Sequence, residues 1–155
     1  LQLPWPVEAG SARAVVLLDV LEHMSEPVEV LRHARAVVGE GGGVVVTVPA
    51  WQGLFGPWDK MLGHQRRYSG AMLEDHAGRA GLRVRWMSSW NLYSLPVAIL
   101  VRLVERRRGG PRGAEFPPVS PSLNRILCGF GSLEERALGR VTLPLGLSLL
   151  AVLVP

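Results

Sequence analysis

The chain has 155 residues, of which 48% are hydrophobic and 19% are charged. This composition excludes an intrinsically disordered chain and is enough for one domain with a buried core. The formal net charge of +4 is a small excess, and no basic stripe with interleaved aromatic residues accompanies it. We therefore predict no nucleic-acid partner. The single cysteine, Cys128, rules out an internal disulfide. It suits a reducing cytoplasm and is predicted to pack in the core.

The first predicted elements are a strand, a helix and a second strand. Residues 14–20 form an apolar run, as in a central strand of a parallel sheet. Ser25 is the predicted cap of a helix with apolar residues at helical spacing, which the glycines of 39–43 end. Residues 44–48 form the next strand, which Pro49 stops. This order is the unit of a parallel sheet, and ligands of such sheets bind beyond the carboxyl ends of the strands.

The rest of the chain is predicted to alternate between helices and strands. The predicted elements are a helix over 70–80, a strand over 82–89, helices over 91–107 and 123–138, and a last strand over 147–154. Ser69 is the expected cap of the first of these helices. Val84 and Trp86 are expected to share one face of the strand that follows. Residues 109–122 are rich in Gly and Pro and are predicted to form a flexible insert.

The chain resembles the second half of a class I S-adenosylmethionine-dependent methyltransferase. The resemblance is carried by LLDVLEHMSEPVEVLRHARAVVGEGGGVVVTVPA, with its D-V-L-E-H turn over 19–23, and by GHQRRY over 63–68. It is closest to the small-molecule methyltransferases with this turn. It implies an α/β fold, an incomplete Rossmann-like sheet of about the last four strands with flanking helices. The final strand is expected to run antiparallel to the others. Residues 1–155 would then be a single partial methyltransferase domain that lacks the first strands and the glycine-rich loop.

The resemblance also implies where the cofactor binds and what the protein does. The backbone of Leu18, Asp19 and Val20 is expected beside the methionine end of S-adenosylmethionine, and Leu3 beside the adenine. The implied reaction is transfer of the methyl group to a small-molecule acceptor. Because the glycine-rich turn is missing, this chain alone is expected to be inactive.

The turn after the first strand carries the candidate catalytic residue, His23. Its imidazole could act as a general base or orient the substrate, and Glu22 is a candidate substrate-binding residue. The alternative is structural, with Glu22 capping the next turn and His23 bonded to the backbone. These residue types also bind metals, but the spacing argues against it. The remaining histidines are His33, His64 and His76. None makes the His-x-x-x-His spacing of a zinc helix, so the sequence predicts no metal site.

The long connection over 50–68 carries further candidates for substrate binding. They are His64, Arg66, Arg67 and Tyr68. An arginine here could bind a carboxylate or phosphate with two hydrogen bonds. The alternative is that one arginine pairs with Asp59 or Glu74 while the other is solvated. Trp51, Phe55 and Trp58 could wall a substrate pocket or pack as a lid.

Three other interpretations stay open. Ala12-Arg13 replaces the Phe-Asp pair that normally opens the fourth strand of the family, which would suit a degenerate, non-catalytic binding or scaffold module. Residues 92–108 could lie on a membrane surface. The apolar stretches 92–104 and 141–155 are too short to span a bilayer, and we expect both to be buried. The first strand would also expose an open edge, so we expect self-association.

Overall fold

The computed structural model describes residues 5–108 and 120–155. Leu3 and residues 109–119 of the predicted insert lie outside the described residues. The last three residues of that insert belong to the start of a helix, which Ser120 caps and which includes Ser122. The strands are β1 (Ala12–Leu18), β2 (Val38–Pro49), β3 (Arg83–Trp90) and β4 (Ser148–Val154). The helices are α1 (Pro27–Val37), α2 (Pro57–Met61), α3 (Gly70–Arg79), α4 (Leu95–Arg108) and α5 (Pro121–Ala137).

The strands of the described residues form one mixed sheet in the order β1-β2-β4-β3. β1 and β2 are parallel, whereas β4 is antiparallel to both of its neighbours. This confirms the predicted α/β fold and the reversed final strand. It follows that β1, β2 and β3 end at one edge of the sheet, where β4 begins. We call this edge, at Leu18, Pro49, Trp90 and Ser148, the carboxyl edge.

The core lies on one face of this sheet. Val44, Val46 and Val48 of β2 are fully buried there, as are Ala151 and Leu153 of β4. These side chains share one face because alternate residues of a strand point to the same side. Helices α1 and α3 contact each other and cover this face.

The opposite face of the sheet is much less covered at β1. Val16 is 56% exposed and Leu18 is 57% exposed. In the described part of the chain, β1 is an edge strand. The side chains of Val16 and Leu18 therefore form an exposed apolar surface on this face of β1.

Two predicted boundaries around α1 are wrong. The N-cap is Glu26, without a side-chain cap bond, and Pro27 occupies the first helical turn, so Ser25 is not the cap. The helix ends at Val37 and β2 starts at once. The glycines of 39–43 therefore lie within a strand whose pairing with β1 is irregular near Ala12.

The predicted face of β3 is also wrong, because the strand contains an irregularity. Val84 lies opposite the buried Leu153, whereas Trp86 lies opposite the half-buried Val152. The register shift at Arg85 adds one residue and sends the two side chains to opposite faces. The capping of α3 is confirmed, since the Ser69 hydroxyl accepts a hydrogen bond from the Met72 amide.

Helices α4 and α5 are more exposed than predicted. Asn91 adopts φ of +62° and a 3-10 turn follows it, so α4 starts only at Leu95. Most apolar side chains of α4 face outward, and α5 has no buried residue. Cys128 is accordingly exposed, not in the core. Among the described helices, none is both long and apolar enough to cross a membrane.

Candidate cofactor and acceptor site

The turn after β1 presents the predicted cofactor residues at the carboxyl edge. Asp19 adopts φ of +50°, and its amide donates to the Thr47 backbone oxygen and hydroxyl, at 3.1 Å each. This pairing fixes the turn on the end of β2. Leu18 and Asp19 are exposed and Val20 is half-buried. The three residues therefore form an accessible ledge just beyond the strand.

Glu22 and His23 follow in a 3-10 turn, Leu21–His23, with opposite exposure. The Glu22 carboxylate is fully buried, and no other described residue donates a hydrogen bond to either oxygen. Burial raises the pKa of Glu22 to about 7. The backbone amide of Glu22 itself and the charge of Arg67 oppose this rise, whereas the charge of Asp19 adds to it. The capping role considered for Glu22 is therefore not observed. His23 is exposed.

The segment after α2 joins this turn. Gly63 adopts φ of +77°, a conformation that favours glycine, and turns the chain toward β1. The Gln65 amide donates to the Glu22 carbonyl at 2.7 Å, and the Gln65 side chain donates to the His23 carbonyl at 2.8 Å. The rings of His23 and His64 meet edge to face, with centroids 4.8 Å apart. Two segments distant in sequence thus place three predicted site residues together.

A buried ion-pair network supports this segment from behind. The carboxylate of Asp59 accepts from Arg67 Nε at 2.7 Å, from Arg102 Nη2 at 2.9 Å and from the Gly56 amide at 2.9 Å. Its Oδ1 also lies 3.2 Å from His64 Nδ1. Burial alone would raise the pKa of Asp59, but Arg67 and these hydrogen bonds outweigh it and hold the pKa below its usual value.

The arrangement of Arg67 matches the structural alternative. Its guanidinium is occupied by Asp59 and by the Ala50 carbonyl, and the side chain is buried. Arg66 is half-buried and donates to the Ser25 carbonyl at 3.4 Å. Arg66 is therefore the more accessible of the two arginines.

Tyr68 is fully buried, and its hydroxyl donates to the Leu21 carbonyl at 3.3 Å. Burial raises the pKa of Tyr68 to about 12. The Tyr68 hydroxyl therefore stays protonated at neutral pH and helps to hold the turn after β1.

A cavity of about 700 Å³ opens at the carboxyl edge. It is largely apolar and is lined by Trp51 and Tyr68 from the connection, by Leu149 of β4 and by Ile99 of α4. Trp51 adopts φ of +66°, and its indole donates to the Gly146 carbonyl at 2.7 Å, which fixes it at the rim. Trp51 was a sequence candidate, whereas the contributions of β4 and α4 had no local signal in the sequence.

Comparisons with known proteins agree with this geometry. The profile of the methyltransferase domain family matches residues 3–85, more than half of the chain. The search of curated proteins found no match.

Solved structures share the fold. One, from Haloferax volcanii, is a complex of the Trm112 methyltransferase activator with a methyltransferase (TM-score 0.55, 17% identity, 97% of this chain and 56% of that chain). Another, from Galdieria sulphuraria, is described as a sarcosine dimethylglycine methyltransferase (0.53, 17%, 96% and 54%). A third is the [4+2]-cyclase SpnF (0.53, 17%, 96% and 51%). The chain thus spans about half the length of these structures. At this identity the likeness to solved structures shows the fold alone. The family match shows the family: the chain belongs to the methyltransferase domain family.

Proposed function

We propose that this chain forms the acceptor side of a methyltransferase site, in which the methyl group of S-adenosylmethionine passes to a small molecule. One observation carries the proposal: the exposed ledge and the His23 turn lie beyond the end of β1, and the apolar cavity lies at the same carboxyl edge, beside the ends of β2, β3 and β4. The cavity lining includes neither the ledge residues nor His23. That edge is where ligands of open α/β sheets bind. The family match over residues 3–85 supports the same assignment.

The residues present fit the methionine end of the cofactor. Leu18, Asp19 and Val20 offer an accessible backbone that Thr47 holds in place. When bound, S-adenosylmethionine would supply an electrophilic methyl group. Among the described residues, no strand with a glycine-rich turn precedes β1. We therefore propose that this chain alone binds the cofactor weakly and that an upstream segment would raise the affinity.

The residues of the chain would contribute mainly by positioning. An in-line transfer depends on holding acceptor and donor in contact, and orientation alone is worth several orders of magnitude in rate. The apolar cavity beside Tyr68 and Trp51 suits an acceptor with an apolar body. His23 is exposed in this turn, so its imidazole could orient the acceptor or take a proton from its hydroxyl or amine. Arg66 lies on the segment after α2, which contacts the His23 turn through Gln65, and its guanidinium could hold an anionic group of the acceptor.

The test is a calorimetric titration with S-adenosylhomocysteine, the product form of the cofactor. It compares this chain with a chain extended upstream through a glycine-rich turn. We expect saturable binding by the extended chain and weak or no binding by this one. Asp19→Pro should weaken binding by the extended chain, because proline has no N–H to donate to Thr47 and cannot adopt the positive φ of Asp19. The exposed Asp75→Ala should leave binding unchanged. Absence of binding by both chains would refute the proposal and favour a non-catalytic binding or scaffold module.

A second candidate, peripheral membrane contact, is favoured by the outer surface of α4 and α5. Val97, Leu100 and Ile126 are 59%, 62% and 56% exposed, and Arg107 is exposed at the end of α4. An apolar face with nearby cations can lie at the surface of anionic lipid. Pelleting with anionic vesicles that falls at high salt, and falls further in Leu100→Asp, would support it. No pelleting at any salt would remove it.

A cytoplasmic location remains a prediction from the single cysteine.

A further inference from the structure

Three groups with metal-binding atoms converge beside the carboxyl edge. Glu22, His23 and His64 each offer one ligand atom, and these atoms all lie within 4.8 Å of one another. The ligand atoms of a single zinc ion, each about 2.0 to 2.2 Å from the metal, lie about 3 to 4 Å apart. Small rotations of the two imidazoles and the carboxylate would therefore close the site. The exposed His23 has the most room for such a rotation.

The buried carboxylate of Glu22 provides an independent indication of a ligand. It is fully buried, and no other described residue donates a hydrogen bond to either of its oxygens. A buried polar group without a partner is costly. Near this carboxylate, His23 and His64 each offer a ring nitrogen that can bind a metal. A cation among the three side chains would complete the coordination that the carboxylate lacks.

The surroundings of His64 match those of a metal ligand. Its Nδ1 lies 3.2 Å from Oδ1 of Asp59, and Asp59 is held by two buried arginines. Histidines that bind metals commonly direct the second ring nitrogen to a carboxylate, which fixes the tautomer and the ring orientation. This contact leaves Nε2 of His64 for a metal. Gln65 ties the segment to the His23 turn, so the ligands are held together before any ion arrives.

We propose that Glu22, His23 and His64 bind one divalent transition-metal ion, with Asp59 as the residue that orients His64. Two imidazoles and one carboxylate suit Zn²⁺ and its neighbours in the first transition row better than Mg²⁺ or Ca²⁺, which prefer oxygen ligands. Three protein ligands leave a coordination position open, and the exposure of His23 gives that position access to solvent. The inference concerns ion binding and does not depend on the proposed methyl transfer. An ion bound to His23 would occupy the nitrogen that takes a proton in the proposed function, so His23 cannot play both roles at once.

The test measures binding of Zn²⁺ to the chain after removal of metal with a chelator. Equilibrium dialysis with elemental analysis should give about one ion per chain. His23→Ala and Glu22→Gln should each weaken binding at least tenfold, whereas His33→Ala, which changes a histidine outside the cluster, should not. Circular dichroism of each variant checks that it is folded. His23 is exposed, so its removal is not expected to unfold the chain.

Substitution with Co²⁺ gives a second readout. A Co²⁺ ion with four or five nitrogen and oxygen ligands absorbs visible light more strongly than the six-coordinate ion in water. We expect this absorption in the natural chain and its loss in Glu22→Gln. The proposal is overturned if binding is not saturable, or if His23→Ala and Glu22→Gln bind as tightly as the natural chain.

Discussion

Replacement of Asp59 by asparagine should be among the most destabilising polar substitutions in this chain. Asp59 is fully buried and accepts hydrogen bonds from Arg67, Arg102 and the Gly56 amide. The side chains of the two arginines are only 9% and 10% exposed, so water screens them little once the carboxylate charge is removed. Removal of one partner from a buried ion pair typically costs about 3 to 5 kcal/mol. Asparagine keeps one acceptor oxygen, so we expect about 3 kcal/mol.

Urea unfolding followed by circular dichroism measures this loss as a lower midpoint with an unchanged slope. The matched control is Asp75→Asn, at an exposed pair in which Asp75 and Arg79 are 3.5 Å apart and about 60% exposed. It should change the free energy of unfolding by less than about 0.5 kcal/mol. A loss below about 1 kcal/mol in Asp59→Asn, or equal losses in both variants, would refute the conclusion that the Asp59 network holds this segment.

Three further predictions concern the cap of α3, the half-buried His76 and the edge strand. Ser69→Ala removes the hydroxyl that caps the Met72 amide and should lower the free energy of unfolding by about 1 kcal/mol in urea; no change would contradict the cap. Burial, with Arg66 nearby, lowers the pKa of His76, so its contribution to stability is present above the unfolded pKa of about 6.5 and is lost below it. The midpoint of His76→Gln should accordingly fall less than that of the natural chain between pH 8 and 5, and equal slopes would contradict this. Val16→Lys, on the exposed face of β1, should reduce self-association in size-exclusion chromatography, and a natural chain that is already a monodisperse monomer would remove that prediction.

The sequence predicted the elements with strong local patterns. The apolar runs of β1, β2 and β4 and the Ser69 cap identify themselves by composition and spacing. The antiparallel β4 followed from the resemblance alone, because nothing local to residues 148–154 states a direction.

The missed features depend on contacts between distant residues. The irregularity at Arg85 is set by pairing of β3 with β4. The sequence neighbours of Cys128 are apolar, which suggested a core position. Its helix, α5, has no buried residue, so Cys128 is exposed.

The candidate site could be predicted only in parts. Glu22 and His23 stand together in a recognisable turn, whereas His64 lies far along the chain and reaches them through a loop that Gln65 ties down. Metal-ligand spacing within one segment therefore gave no signal. Arg67 could not be told from Arg66 by sequence, because only burial beside Asp59 distinguishes them.

The most direct test of the central claim is to locate bound S-adenosylhomocysteine on the upstream-extended chain by amide chemical shifts. We predict saturable shifts at residues 18–20 and at His23, on the carboxyl edge, with little change at Gly41 and Arg85. Those two residues line a cavity of about 840 Å³ at the opposite edge of the sheet, where β2 and β3 begin. Shifts confined to that cavity, or no saturable shift anywhere, would contradict the assignment of the carboxyl edge as the methyltransferase site.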